Sequence, residues 1–257
     1  MKKLAIIGAN GMLGTDLMTH LSPFFSITGI TKENYQSFVD KKFDIVINAN
    51  GNSKRFWANT HPQEDFNLST ISVYKSLFDF HTEMYIYISS SDIYKDHTSI
   101  KTTKESQYIE PSDLSSYGLH KYMSELLVKK YSKQYMILRC CLVLGSKLKK
   151  GPLYDMLEKQ PLYIAKESTL QMITTKAIAD SLSFLLKEKI RDKTYNIGGK
   201  GIVSFTQIEK FVSFPVVFSK KAEKQQYEMD VSELNAVYPL ERSITYLQEF
   251  FNSLQSQ

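Results

Sequence analysis

Lys3-Leu4-Ala5-Ile6-Ile7-Gly8-Ala9-Asn10-Gly11-Met12-Leu13-Gly14 runs from a short apolar segment straight into three glycines spaced three residues apart. The segment is strand-like in length and composition, and the residues from Met12 onward take up a helical period. Gly8 permits the tight turn, Gly11 lets the backbone approach a diphosphate, and Gly14 lets helix and strand pack closely. Amide groups at the start of the helix then face an anion. Glycine triplets are common in turns, so position gives this one its meaning: it joins the first strand to the first helix. Gly8, Asn10, Gly11, Met12, Leu13 and Gly14 are therefore candidate dinucleotide-binding residues.

Outward from this turn the alternation continues to about residue 145. Apolar runs predict strands over 3–7, 26–30, 44–48, 85–89 and 135–139. Helical periodicity predicts helices over 12–21, 34–41, 64–80 and 115–132 between them. Strand–helix alternation with short connections reads as a parallel sheet covered on both faces, an α/β doubly wound fold. The connection after the second strand is too short for a full crossover, which predicts one short helix there and no edge strand. Past Gly145 the elements shorten. Helices are expected over 153–159, 176–187, 205–212 and 244–254, with strands over 194–197 and 214–218. The predicted organisation is a dinucleotide-binding domain over 1–145 and a small α+β substrate lobe over 146–257, with some elements returning to the core. The last helix carries Ile244, Leu247, Phe250, Phe251 and Leu254, a stripe expected to dock on the core.

Composition narrows the function classes. The chain has 257 residues, 42% hydrophobic and 23% charged, as in ordinary globular proteins. A formal charge of +5, from scattered lysines, does not indicate a nucleic-acid binder. Cys140 and Cys141 are the two cysteines; as strand neighbours they point to opposite faces, so no disulfide framework is expected. No apolar run approaches a membrane span, and the start, MKKLAIIGANG, is too short in its apolar part for a signal peptide. The expectation is a cytoplasmic protein. His20, His61, His81, His97 and His120 show no metal-ligand spacing, so no metal site is expected. The basic run 147–150 reads as a solvated face, although it lies where a diphosphate could pass.

Three further signals carry chemistry. Thr31 and Lys32 follow the second strand, where an acid accepting ribose hydroxyls would otherwise stand, which favours NADP although NAD remains possible. Tyr117 and Lys121, four apart on a predicted helix, share one face. Among sixteen tyrosines, Tyr117 alone has lysine four residues on. A unit charge near 4 Å at an effective dielectric near 20 supplies about 4 kcal/mol, enough to bring a phenol from about 10 toward neutrality. Ser89-Ser90-Ser91-Asp92-Ile93-Tyr94 closes the fourth strand, on the sheet edge where ligands of parallel sheets bind. Taken singly, these are a helix-surface pair and a turn; their order along the chain joins them.

In that order they resemble the extended short-chain dehydrogenase/reductase superfamily and its NAD-dependent epimerase/dehydratase family, which includes 4-keto reductases of the dTDP-4-dehydrorhamnose reductase type. GANGMLG is similar to the family's cofactor turn, DIVINANG to its fourth-strand motif, SSSDIY to its serine motif, YGLHK to its Tyr/Lys pair and YNIGG to a marker of its substrate lobe. The resemblance implies that Tyr117 is the general acid/base and that Lys121 tunes it and holds the nicotinamide ribose. Ser90 is then the hydroxyl partner and Asp92 a possible second proton-transfer residue. Asn48, Ala49, Asn50, Gly51, Asn67 and Cys141 would border the cofactor. The implied function is NAD(P)-dependent reduction or epimerisation of a nucleotide-activated keto-sugar, in a possible homodimer built on the 115–132 helix. Ser91-Asp92 supplies only half of the dehydratases' acidic pair, and the epimerases' asparagine and aspartate are replaced by Leu142 and Ala177, so reduction is favoured. The rivals are reduction of a non-sugar carbonyl and a non-catalytic dinucleotide-sensing regulator.

Overall fold

The computed structural model describes residues 1–255. Its centre is a six-stranded parallel sheet. The chain enters through β1 (Lys3–Ile7), α1 (Met12–Leu21), β2 (Ser26–Ile30) and β3 (Lys42–Asn48). α2 (Arg55–Thr60), α3 (Pro62–Phe66) and α4 (Ser72–Asp79) follow, then β4 (His81–Ser90), α5 (Ser116–Tyr131) and β5 (Tyr135–Cys140). The remainder comprises β6 (Leu142–Leu144), α6 (Pro152–Leu157), β7 (Leu162–Ile164), β8 (Thr169–Leu170), β9 (Met172–Thr174) and α7 (Thr175–Lys187). β10 (Lys193–Ile197), β11 (Val203–Ser204), α8 (Phe205–Ile208), β12 (Phe218–Glu223), β13 (Gln226–Tyr227), α9 (Ser232–Val237) and α10 (Ser243–Gln255) complete it. The strand order is β10-β5-β4-β3-β1-β2.

Strand periodicity builds the layers. Leu4 and Ile6 face one side with Ile45, Ile47, Ile86, Ile88 and Leu138, covered by α1 and α7. Ala5 and Ile7 face the other with Val46, Tyr85, Tyr87 and Ile137, against Val73 of α4 and Val128 of α5. Each fully buried leucine or isoleucine contributes about 1.5–3 kcal/mol, so both faces are strongly fixed. A second core gathers Leu144, Leu153, Leu162, Phe205, Leu247, Phe250 and Phe251. The stripe of α10 docks there, with Ile244 and Leu254 at its margin.

Sheet topology agrees with the skipped edge strand: β2 is itself the edge, and the chain passes from it to β3 through a single 3-10 turn at Tyr35–Phe38. That turn replaces the helix expected over 34–41. Asn34 is spent on the loop instead, accepting from Thr31 N at 2.7 Å and donating to Gly29 O at 3.1 Å. The helix expected over 64–80 starts earlier, at Pro62, and contains a π-helical turn at Asn67–Ile71. The strand expected over 214–218 is not formed; the pairing segment is β12, from Phe218 onward. Pro215 has no amide hydrogen for a ladder, which moves the strand past it. Among the described residues, no helix is long and apolar enough to cross a membrane, and no group of His, Cys, Asp or Glu could hold a metal ion.

Candidate active site

Five strand ends and the starts of two helices, α1 and α5, converge at the carboxyl edge of the sheet, where open parallel sheets bind ligands. After β1 the chain turns at Gly8, whose φ of +85° suits glycine, and its amide donates to Ile30 O at 2.9 Å. A Cβ on Gly8 would lie 2.9 Å from Asn50 N, and one on Gly14 only 2.2 Å from Gly8 O. The turn is thus wedged between α1 and the loop after β3 by backbone contacts that no side chain could share. Gly11 occupies the N-cap of α1 in extended conformation, with no side-chain cap. The first amides of this ten-residue helix are left for an anion, and Asn10 beside them is exposed. This cradle fits the diphosphate of a dinucleotide.

At the end of β2, Thr31 is occupied by its neighbours, bonding Asn34 through its amide and Glu33 through its hydroxyl. The Thr31 hydroxyl and Lys32 hold the exposed Glu33 carboxyl below its usual range. Lys32 is exposed. At the end of β3, Asn48 turns inward, fully buried. Its amide nitrogen donates to Tyr85 OH at 2.8 Å and Ser76 Oγ at 3.2 Å, and its oxygen accepts from Asn50 N at 2.9 Å. The Asn48 side chain therefore shapes the loop after β3. Ala49 is half-buried, Asn50 exposed, and Gly51 has φ +117°. A Cβ on Gly51 would stand 3.8 Å from Lys121 Nζ. Asn67 opens the π-helical turn and is exposed. Such turns recur at functional sites. Cys141, just beyond β5, is half-buried beside Gly198, and burial pushes its thiol well up. Neutral and weakly nucleophilic, it can border a ligand but not attack one.

α5 begins at an N-cap, Ser115, whose Oγ accepts from Gly118 N at 3.2 Å. Its buried face carries Tyr117, Gly118, His120, Lys121, Ser124, Glu125 and Val128. Lys121 Nζ donates to Ile88 O at 3.2 Å and lies over the rings of Tyr87, 5.2 Å, and Tyr117, 6.0 Å. Ser90, at the end of β4, brings its hydroxyl within reach of the Tyr117 phenol. It also donates to Asp92 Oδ2 at 3.0 Å. Ser90, Tyr117, Lys121 and Asp92 are thus brought together with Gly51.

Burial pushes the Tyr117 phenol up to about 12; Lys121 and Ser90 favour its ionised form, while Asp92 and Tyr87 oppose it. The expected fall toward neutrality is corrected. The lysine faces the ring from 6.0 Å, where a unit charge supplies under about 3 kcal/mol at a dielectric near 20, less than burial of the phenol costs. Asp92 is already engaged: Arg55 NH1 pairs with its Oδ1 at 3.0 Å, and Tyr227 OH approaches the same oxygen at 3.5 Å. Arg55 in turn lies over the Tyr227 ring, which stacks on His97. Beside Asp92 opens a cavity of about 430 Å³ lined by Arg55, Phe56, Tyr94, His97, Ser115 and Tyr227.

Sequence reasoning missed the buried scaffold behind these groups. Arg139 NH2 meets Glu125 Oε2 at 2.8 Å, Ser89 donates to Glu125 Oε1 at 2.6 Å, and Arg139 NH1 donates to Tyr94 OH at 2.8 Å. Tyr94 OH passes the chain to Asn196 Oδ1 at 2.8 Å. A second buried pair, His120 Nδ1 to Asp65 Oδ2 at 2.6 Å, ties α3 to α5, and Asn52 holds the other oxygen of Asp65. An arginine among the apolar residues of β5 is the one signal that would have exposed the first network.

Residues 4–198 match the NAD dependent epimerase/dehydratase family. The chain belongs to that family, within the extended short-chain dehydrogenase/reductase superfamily, whose glycine turn and Rossmann-type sheet it displays. Among solved structures it is similar to dTDP-4-dehydrorhamnose reductase from Bacillus anthracis in complex with NADP, with TM-score 0.81 and 17% identity over 98% of this chain and 99% of that one. UDP-glucuronic acid 4-epimerase from Bacillus cereus, in complex with UDP-glucuronic acid and NAD, gives TM-score 0.76 and 18% identity over 99% of each chain. UDP-glucose 4-epimerase from Thermotoga maritima gives 0.77 and 14%, again over 99% of each. No curated protein matches the sequence.

Proposed function

We propose that the chain is an NAD(P)-dependent oxidoreductase that reduces a nucleotide-activated keto-sugar, with Tyr117 as the proton donor. The observation carrying this reading is the gathering of Ser90, Tyr117 and Lys121 under Gly51, beside a glycine cradle fit for a dinucleotide. When bound, the nicotinamide supplies the hydride. The residues of the chain do the rest. Gly8, Gly11 and Gly14 with the first amides of α1 hold the diphosphate, Asn50 and Gly51 border the nicotinamide side, and Lys121 holds its ribose. Asn10, Met12, Leu13, Ala49, Asn67 and Cys141 complete the wall.

A phenol pushed up to about 12 is fully protonated at neutral pH, which suits it to give its proton to a carbonyl oxygen as hydride reaches the adjacent carbon. Ser90 Oγ orients that oxygen once its single hydroxyl proton turns from Asp92 Oδ2 to the substrate. Lys121 and Ser90 stabilise the phenolate left behind until solvent returns the proton. The reverse task, proton removal from a hydroxyl, would require the phenolate at the outset, so the site favours reduction over epimerisation. Asp92 supports the same direction, because Arg55 already pairs with its Oδ1 and holds it as a carboxylate partner. NADP is favoured over NAD by the exposed Lys32 and by Glu33 being engaged with Thr31. The aromatic cluster of Tyr74, Phe78 and Tyr131, exposed across α4 and α5, supports a homodimer.

Tyr117→Phe tests the assignment. Turnover of keto-sugar nucleotides should fall by roughly 10²–10⁴-fold, with dinucleotide affinity and thermal stability unchanged. Loss of dinucleotide binding as well would make Tyr117 structural.

A further inference from the structure

Beyond Gly145 the chain crosses back over the carboxyl edge of the sheet. Ser146 anchors it on α1, donating through Oγ to Asp16 Oδ1 at 2.6 Å and through its amide to Asp16 Oδ2 at 3.1 Å. Lys147 reaches Thr15 Oγ1 at 3.3 Å, Leu148 packs into the second core, and Lys150 donates from Nζ to Ser53 Oγ. Residues 146–150 therefore run as a strap from the helix of the glycine cradle to the segment that follows Gly51.

At its far end Lys150 comes under the charges of two more lysines, Lys54 and Lys121. Lys54 adjoins Ser53, Lys150 is held by Ser53, and Lys121 Nζ lies beside Gly51. Among the described residues, none of the three pairs with a carboxylate. The nearby acids are taken: Asp92 by Arg55, and Asp65 by His120 and Asn52. Burial, then repulsion from Lys54 and Lys121, brings the Lys150 ammonium down to about 8. Like charges held together by the fold with no counter-charge are relieved by an arriving anion. The cofactor's diphosphate is served at the other end of the strap, by α1. Lys150 is held instead at Ser53, two residues past the Gly51 that adjoins Lys121 Nζ, and Lys54 follows Ser53 directly in the chain; in the reading above Lys121 marks the reacting carbon.

We propose that Lys150 and Lys54 form the receptor for an anionic group of the substrate, a carboxylate or a phosphate, carried close to the carbon that exchanges hydride. The inference rests on the reading above for where that carbon lies, and it names a specificity determinant outside the Ser90, Tyr117 and Lys121 set.

The test is calorimetric titration of protein saturated with NADPH or NADH, using inorganic pyrophosphate in one arm and sodium glucuronate in the other. The receptor predicts that at least one anion binds and that Lys150→Met and Lys54→Met each weaken it at least tenfold, while Lys101→Met does not. Pyrophosphate alone would identify a phosphate as the group, glucuronate alone a carboxylate. Lys150→Gln, with unchanged melting temperature, guards against misfolding. Three results overturn the proposal: neither anion binds, binding survives Lys150→Met, or Lys150→Met weakens the dinucleotide itself tenfold and so marks a cofactor clamp. If no dinucleotide binds, the functional reading fails by itself. The same anion titration of dinucleotide-free protein, wild type against Lys150→Met, then still decides the receptor.

Discussion

Gly118→Ala is a test in which the sign of the effect decides. Gly118 lies in the first turn of α5, directly after Tyr117, and glycine inside a helix is less stable than alanine by roughly 0.5–1 kcal/mol. Its presence needs a cause, and the structure supplies one: a Cβ there would lie 2.2 Å from Asp92 O and 3.2 Å from Asp92 C. Ordinary contact requires a retreat of about 1 Å, and the obstacle is backbone, which cannot rotate away. Overpacking of this kind costs about 1–3 kcal/mol. With the obstacle placing the cost in the upper part of that range, the variant should be less stable by about 1–2 kcal/mol after the helix gain. The turn carrying Ser90 and Asp92 must move relative to Tyr117, and a misplacement of about 1 Å costs roughly 100-fold in turnover. Dinucleotide affinity should hold, since the glycine cradle is elsewhere. Urea denaturation, dinucleotide titration and turnover measured together check all three. A variant more stable than wild type by about 1 kcal/mol with turnover intact would refute the close approach of α5 to this turn.

Other expectations follow from the buried charges and the cofactor cradle. Arg139→Met leaves Glu125 buried without its partner, and urea denaturation should show a loss of about 3–5 kcal/mol; a loss under about 1 kcal/mol would contradict the network. Burial raises the Glu105 carboxyl from 4.5 to about 7, opposed by the bond from Asn196 N. The folded state therefore holds a proton that the unfolded chain releases, so stability falls as pH rises from 4.5 to 7. Full burial would make the effect about 3 kcal/mol, and partial exposure reduces it to about 1–2; Glu105→Gln should flatten the stability profile across that window. Lys32→Ala should weaken NADPH while sparing NADH, read by calorimetry; equal loss of both would remove Lys32 from the recognition of a 2′-phosphate.

The sheet was legible because its parallel strands, buried on both faces, are short apolar runs set between helical periods; the run 214–218, with Pro215 inside it, shows that an apolar run alone does not make a strand. The bounds of β1, α1 and β2 coincide with those expected, and the missing edge strand followed from chain length alone. The short strands past Gly145 could not be read: β7, β8 and β9 have two or three residues each, too few for any period. α2 has no apolar repeat, yet it delivers Arg55 to Asp92. Tyr117 and Lys121 could be placed on one face by spacing, but spacing says nothing of how deeply a phenol is buried, and burial set its proton affinity. Asn48 is placed beside the cofactor by the resemblance of its segment to the family motif, and its inward partners, Ser76 and Tyr85, could not be read because they are 28 and 37 residues away in sequence.

The most direct measurement is transfer of deuterium from NADPH labelled at the nicotinamide hydride position to a panel of keto-sugar nucleotides, followed by mass spectrometry of the product. The account predicts a product one deuterium heavier with wild type and the same product formed at least roughly 100-fold more slowly with Tyr117→Phe, although both proteins bind the dinucleotide equally. Labelled product at undiminished rate from Tyr117→Phe, or tight dinucleotide binding with no transfer to any member of the panel, would contradict it.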